Sequence, residues 1–196
     1  MVGAVAEHFS QRLQRDRLCV IFLNELHDLD EMRHLLEQFS HFLRSKFKFQ
    51  NMDDLVSIED ELSLVRSYLY IEQVRFTDRL QVMWEIADCH GVKVPFLTIQ
   101  PLVENAIRHG IMKRTRGGTI FIRIAVHETH AEITVEDDGI GMDDKQLQRI
   151  LERTAEGKSG VGLINTDRRL IRHFGTGLEI ESRPDKGTKV TFRVRK

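Results

Sequence analysis

The sequence predicts an α+β fold, a two-layer sandwich with helices on one face of a mixed sheet, preceded by an α-helical hairpin. Three observations carry this. Apolar residues recur at three- and four-residue steps from about His8 to Phe49, alternate with period two in short segments from Leu80 onward, and are interrupted by glycine-bearing turns. With 196 residues, 41% hydrophobic and 30% charged, the chain can bury a core and suits one medium domain with a helical appendage.

In the amino-terminal part, Leu18, Ile21, Phe22 and Leu26, then Leu35, Leu36, Phe39, Phe42 and Leu43, stripe two helices. Asp28-Leu29-Asp30-Glu31 ends the first and begins the second, because Asp side chains cap exposed amides and early acids suit the helix dipole. A hairpin cannot bury both stripes alone, so pairing with a second copy into a bundle is expected, the alternative being that both helices fold back on the rest of the chain. The polar stretch Gln50 to Asp54 reads as a linker, which divides the chain into a hairpin, residues 1–52, and a second domain, residues 53–196.

Ser57-Ile58-Glu59-Asp60-Glu61 caps a helix running to about Arg75, with Leu62, Val65, Leu69 and Ile71 inward. Leu80 to Ala87 alternates as a strand, and Pro95 precedes a helix through Leu102, Ala106 and Ile107 that stops at Gly110. Two strands follow, Thr119 to Val126 and Ala131 to Glu136, then a glycine-bearing loop at Asp137 to Gly141. Asp143 to Arg153 and Leu163 to Phe174 are helical around a flexible stretch, Thr154 to Gly162. Leu178 to Ser182 and Lys189 to Val194 close the sheet around Asp185-Lys186-Gly187-Thr188.

Composition excludes several classes. The formal net charge is −1 and the basic residues are dispersed, so no nucleic-acid partner is expected. Cys19 and Cys89 are isolated and fit no CxxC or metal spacing, as in a reduced cytosolic protein. No apolar run approaches the ~20 residues that cross a bilayer, so a cytoplasmic chain is expected, with any membrane sensor outside these residues.

Four pieces carry the chemistry: Glu104-Asn105-Ala106-Ile107-Arg108-His109-Gly110, Asp137-Asp138-Gly139-Ile140-Gly141, Gly160-Val161-Gly162-Leu163, and Gly187-Thr188. Singly, Asp-Gly and Gly-Thr are turn formers and Glu-Asn an ordinary helix pair. Together, in order and spacing, they resemble the N box and three glycine boxes of the GHKL (Bergerat) ATPase fold shared by histidine kinases, Hsp90, type II topoisomerases and MutL. The closer resemblance is to the LytS/YesM-type sensor histidine kinases. It rests on Tyr68-Leu69-Tyr70-Ile71-Glu72-Gln73-Val74-Arg75-Phe76, Gln100-Pro101-Leu102-Val103-Glu104-Asn105-Ala106-Ile107-Arg108-His109-Gly110 and Gly160-Val161-Gly162-Leu163-Ile164-Asn165.

That resemblance implies ATP and Mg²⁺ as cofactors. The Asn105 amide oxygen becomes the Mg²⁺ ligand, Glu104 orients a metal-bound water, and Arg108 and His109 line the phosphate side. Asp137 is the carboxylate that meets the exocyclic amine of adenine, while Gly139 and Gly141 allow close backbone approach. Gly160, Gly162 and Leu163 offer helix-start amides to the phosphates with help from Lys158, residues 154–159 form a lid, and Thr188 closes the adenine pocket. Asp138 stands where the family more often has asparagine.

The resemblance breaks at the phosphoacceptor. Counting back from Phe39-Ser40-His41-Phe42-Leu43-Arg44 without gaps places Arg12 at the site, and guanidinium stays protonated and cannot act as a nucleophile. His8, beside Phe9, is the remaining candidate, with His27, His34 and His41 read as helix-surface histidines. The expected function is therefore Mg-ATP binding and phosphoryl transfer with a degenerate phosphoacceptor site, a response regulator or other signalling protein as partner, and a homodimer through the amino-terminal helices. The alternatives are a nucleotide-sensing scaffold without transfer chemistry and an anti-sigma-type serine kinase.

Overall fold

The computed structural model describes residues 29–48, 54–156 and 162–196. Its elements run α1 (Leu29–Lys48), β1 (Leu55–Ser57), α2 (Ile58–Phe76), β2 (Leu80–Ile86), β3 (Lys93–Pro95), α3 (Ile99–Asn105), β4 (Gly118–Val126), β5 (His130–Asp137), α4 (Asp144–Glu156), α5 (Leu163–Phe174), β6 (Glu179–Arg183) and β7 (Gly187–Arg195).

Five strands form one sheet in the order β2-β4-β5-β7-β6, with β2 and β4 parallel and every other pair antiparallel. Period-two alternation decides its two faces. Ile120, Ile122 and Ile124 of β4, Ile133 and Val135 of β5, and Phe192 and Val194 of β7 are buried with the apolar residues of α2, α3 and α5. The opposite face is charged: Arg123 bridges Glu85 and Glu136, and Arg193 bridges Glu132 and Glu179.

The Ser57 side chain accepts from the Asp60 amide at 3.1 Å and caps α2, as the serine-plus-acid pattern predicts. Leu62, Val65 and Leu69 face the core. A two-stranded ribbon that the sequence pattern does not signal pairs β1 with β3, Leu55 opposite Pro95. It pins the start of α2 beside the segment that enters α3. The helix expected to run to Gly110 is α-helical only to Asn105; Ala106–Gly110 is a π turn followed by a 3₁₀ turn at Ile111–Lys113. One extra residue in that turn changes which side chains share a face with Asn105.

Of the amino-terminal hairpin, the second helix is α1, and the first lies outside the described residues together with His8, Arg12 and His27. One side of α1 lies along α2. Phe42, 2% exposed, stacks against Tyr68 with ring centroids 5.8 Å apart, and His34 meets Tyr70 edge-on at 4.7 Å. The buried Ser67 hydroxyl donates to Gln38 Oε1 at 2.8 Å and meets His41 Nδ1 at 3.0 Å. A serine hydroxyl has one proton, so His41 donates to Ser67. The other side of α1 leaves Leu29 and Phe47 exposed.

Candidate nucleotide site

Where α3 ends, three of the predicted pieces converge. Asn105 closes α3, and Gly162 opens α5; a side chain begun at Gly162 would stand 3.6 Å from Asn105 Nδ2. The N box and the second glycine box are thus adjacent, although 57 positions apart in the chain. Glu104, half-buried, accepts from Arg108 Nη1 at 2.9 Å and from Gln100 Nε2 at 3.4 Å. His109 is held below its ordinary pKa by partial burial, then by the Arg108 and Lys113 cations, with Glu104 opposing them.

At the carboxyl end of β5, Asp137 is 3% exposed and points toward Gly110. Its Oδ1 accepts from the Gly139 amide at 2.8 Å. Burial raises its pKa from 3.8 to about 6, the amides of Gly139 and Thr188 oppose that rise, and Asp138 adds to it. A side chain at Gly110 would begin inside the Asp137 carboxylate, and one at Gly139 would strike both that carboxylate and the Gly110 backbone. Gly141 has φ +62° and would strike the Arg183 carbonyl, so the loop needs glycine there for its own backbone. Thr188 stands opposite Asp137 in the β5–β7 register, with its hydroxyl 2.9 Å from Ser182.

Asp138, unusual in sequence, braces the loop against the start of β4. Its Oδ1 accepts from the Thr119 amide at 2.7 Å, and its own amide donates to the Thr119 carbonyl at 3.2 Å. Lys158 and Gly160 lie outside the described residues, whereas Leu163 is half-buried against the core. Sequence reasoning missed Arg114, which donates to the Asp185 carbonyl at 2.6 Å and ties the turn after β6 to the turn before β4, and Ser182, which accepts from the Met142 amide at 2.9 Å. Neither stands in a motif; only their contacts across the sheet end single them out.

The donor set suits magnesium that arrives with phosphates. Among the described residues no group of three or more His, Cys, Asp or Glu side chains could cage a metal ion. Mg²⁺ commonly keeps its waters and takes only one or two protein ligands plus substrate phosphates. A single amide oxygen at Asn105 fits that mode.

Comparison with known proteins places the chain in a family. Residues 93–196 match the family described as histidine kinase-, DNA gyrase B-, and HSP90-like ATPase, and residues 19–80 match the histidine kinase family. The chain is 38% identical over 179 residues to the uncharacterised protein YwpD of Bacillus subtilis, covering 89% of this chain and 62% of that protein. It is 36% identical over 171 residues to the sensor protein LytS of Staphylococcus saprophyticus, covering 85% of this chain and 29% of LytS. It therefore spans less than two thirds of either relative. Among solved structures, the kinase domain of a blue-light activated histidine kinase from Erythrobacter litoralis has the same fold, with TM-score 0.53 at 18% identity over 93% of this chain and 81% of that one. The chain belongs to the histidine kinase-, DNA gyrase B- and HSP90-like ATPase family.

Proposed function

We propose that this chain binds Mg-ATP between α3, the β5–α4 loop and the start of α5, and serves phosphoryl transfer in a two-component sensor kinase. The observation that carries this is the Asp137 carboxylate, buried, held by the Gly139 amide, and facing a position where only glycine fits. It is a preorganised acceptor for an exocyclic amine, and guanine, with a carbonyl at that position, would leave it unpaired.

Asn105 is the residue to hold magnesium, which when bound screens the phosphate oxygens and lowers the charge barrier to attack on the γ-phosphorus. Glu104 is kept in place by Arg108 and Gln100 and is the carboxylate that orients water or accepts a proton there. His109, whose pKa is lowered by partial burial and the neighbouring cations, offers a hydrogen bond on the phosphate side. Gly162 and Leu163 present backbone amides at the α5 start, Lys158 and Gly160 assist from the preceding segment, and Thr188 borders the base.

Residues 1–52 act as the dimerising hairpin and residues 53–196 as the nucleotide-binding domain, in the cytoplasm, with a response regulator as partner. The described residues contain no helix long and apolar enough to cross a membrane. A second reading, a nucleotide-sensing scaffold, is favoured by one observation: Arg12 occupies the ungapped phosphoacceptor position. Incubation with γ-labelled ATP separates them. Acid-labile, base-stable label lost in His8→Ala supports transfer through His8. Tight Mg-ATP binding with no label on the chain or on an added response regulator supports the scaffold, and no binding at all sinks both.

A further inference from the structure

Two buried charges outside the nucleotide site meet at the entry to α3. Glu61, in the first turn of α2, is 0% exposed, and Arg169, on α5, is 8% exposed. The segment that leads into α3 runs between them. Glu61 Oε1 accepts from the Leu97 amide at 2.6 Å, and Oε2 accepts from the Thr98 and Ile99 amides at 3.0 and 2.8 Å. From the other side, Arg169 Nη1 donates to the Phe96 carbonyl and Nη2 to the Leu97 carbonyl at 2.7 Å.

This arrangement replaces an ordinary helix cap. Thr98 makes no side-chain cap for α3; its hydroxyl donates to the Pro95 carbonyl at 2.5 Å instead. Of the unpaired amides that begin any helix, those of Thr98 and Ile99 are here satisfied by a carboxylate from a different helix. Leu97 has φ +58°, a left-handed conformation that a leucine resists and that persists only when its surroundings impose it. Its N–H is bound by Glu61 and its C=O by Arg169, which is such an imposition.

Burying a carboxylate and a guanidinium is a poor means of gaining stability, since apolar residues of equal volume do as well or better. What the pair specifies is geometry. α3 spans seven residues, so its first turn sets the place of Asn105, about 9 Å along the axis. Arg169 belongs to α5, whose start is the Gly162 that abuts Asn105.

We propose that Glu61 and Arg169 are positioning residues, a clamp that holds α3 against α5 so that Asn105 and Gly162 stay in register on the phosphate side of the site. This rests on the nucleotide reading given above. Asp137, carried by β5, lies outside the clamp, so the phosphate and adenine halves of recognition should separate when the clamp is weakened.

The whole chain, as wild type, Glu61→Gln and Arg169→Lys, is titrated with Mg-ATP by calorimetry and with adenosine by NMR, and amide hydrogen exchange is followed at residues 97–99. Gln offers one acceptor oxygen in place of two, and Lys cannot bridge two carbonyls with a planar fork. The expected result is at least tenfold weaker Mg-ATP binding, less than a twofold change for adenosine, and at least tenfold faster exchange at residues 97–99. Equal weakening of both ligands overturns the clamp as a positioning device, and so does unchanged Mg-ATP affinity. If Glu61→Gln does not fold, Arg169→Lys, which keeps the charge, carries the same comparison. Wild-type protein that binds neither ligand refutes the nucleotide reading and this inference with it; wild-type binding without the split in the variants refutes the clamp alone.

Discussion

The Asp137 carboxylate occupies the space in which a side chain at Gly110 would begin. Two pieces of sequence 27 positions apart are therefore one steric unit, and Gly110 cannot gain a side chain while Asp137 stays in place. Gly110→Ala is expected to displace Asp137, cost about 1–3 kcal/mol of stability as overpacking does, and weaken Mg-ATP binding well beyond that loss. Thermal unfolding with a parallel nucleotide titration checks it; normal affinity in the variant contradicts the assignment of Asp137.

Asp137 makes both stability and binding depend on pH. Its carboxyl ionises at about 6 in the native state against 3.8 in the reference chain. Between those values the native state holds more protons than the unfolded one, so stability falls as pH rises through that window, by roughly 3 kcal/mol when complete. Nucleotide affinity runs the other way, because the amine of adenine prefers an ionised acceptor. Asp137→Asn is expected to flatten both profiles, raise stability at pH 7 and bind ATP poorly, as denaturant melts and titrations from roughly pH 3 to 7 would record.

Asp138 permits a finer test. Its Oδ1 accepts from the Thr119 amide, and its charge contributes to the raised pKa of Asp137. Asp138→Asn keeps the acceptor and removes the charge, so the fold should be as stable as before while Asp137 titrates at lower pH. Carbon-detected NMR of the Asp137 carboxyl in both proteins decides it: an unmoved Asp137 midpoint means the neighbouring charge is without influence.

Asn105→Ala should leave folding nearly intact, because the side chain is half-buried at the end of α3 and caps no other element. Its effect should fall on magnesium: ATP affinity in the presence of Mg²⁺ drops to the value measured with EDTA, about tenfold or more lower. Retained magnesium dependence would move the ligand role to another residue.

On the opposite side of α2, Ser67→Ala removes the hydroxyl that joins Gln38 and His41 and should cost about 1–3 kcal/mol, since both partners stay part-buried. Phe42→Ala, which empties a 2% exposed position against Tyr68, should cost about 3–5 kcal/mol. Chemical denaturation gives both numbers, and losses near zero would mean that α1 does not pack on α2 in solution.

Local patterns account for much of this molecule. Periodicity delimits α5 at Leu163–Phe174, the bounds observed, because an amphipathic stripe lies between Gly162 and the left-handed Gly175 cap. Alternation finds β4 and β5 to within a residue at each end, because one face of each strand is buried. The ribbon of β1 with β3 escapes such patterns. Its strands have three residues each and are 36 positions apart from Ser57 to Lys93, so neither has a period to detect and only pairing makes them strands.

The nature of the site, an acid ahead of glycines, an asparagine on a helix and a glycine pair before another helix, was determined by the sequence, because side-chain chemistry and backbone freedom belong to residue types. Tertiary structure alone decided that Asp137 is buried enough to titrate near 6, that Asn105 lies beside Gly162, and that Glu61 and Arg169 grip the entry to α3. Burial, proximity and desolvation are properties of the space between elements, and that space exists only once segments distant in the chain have packed together.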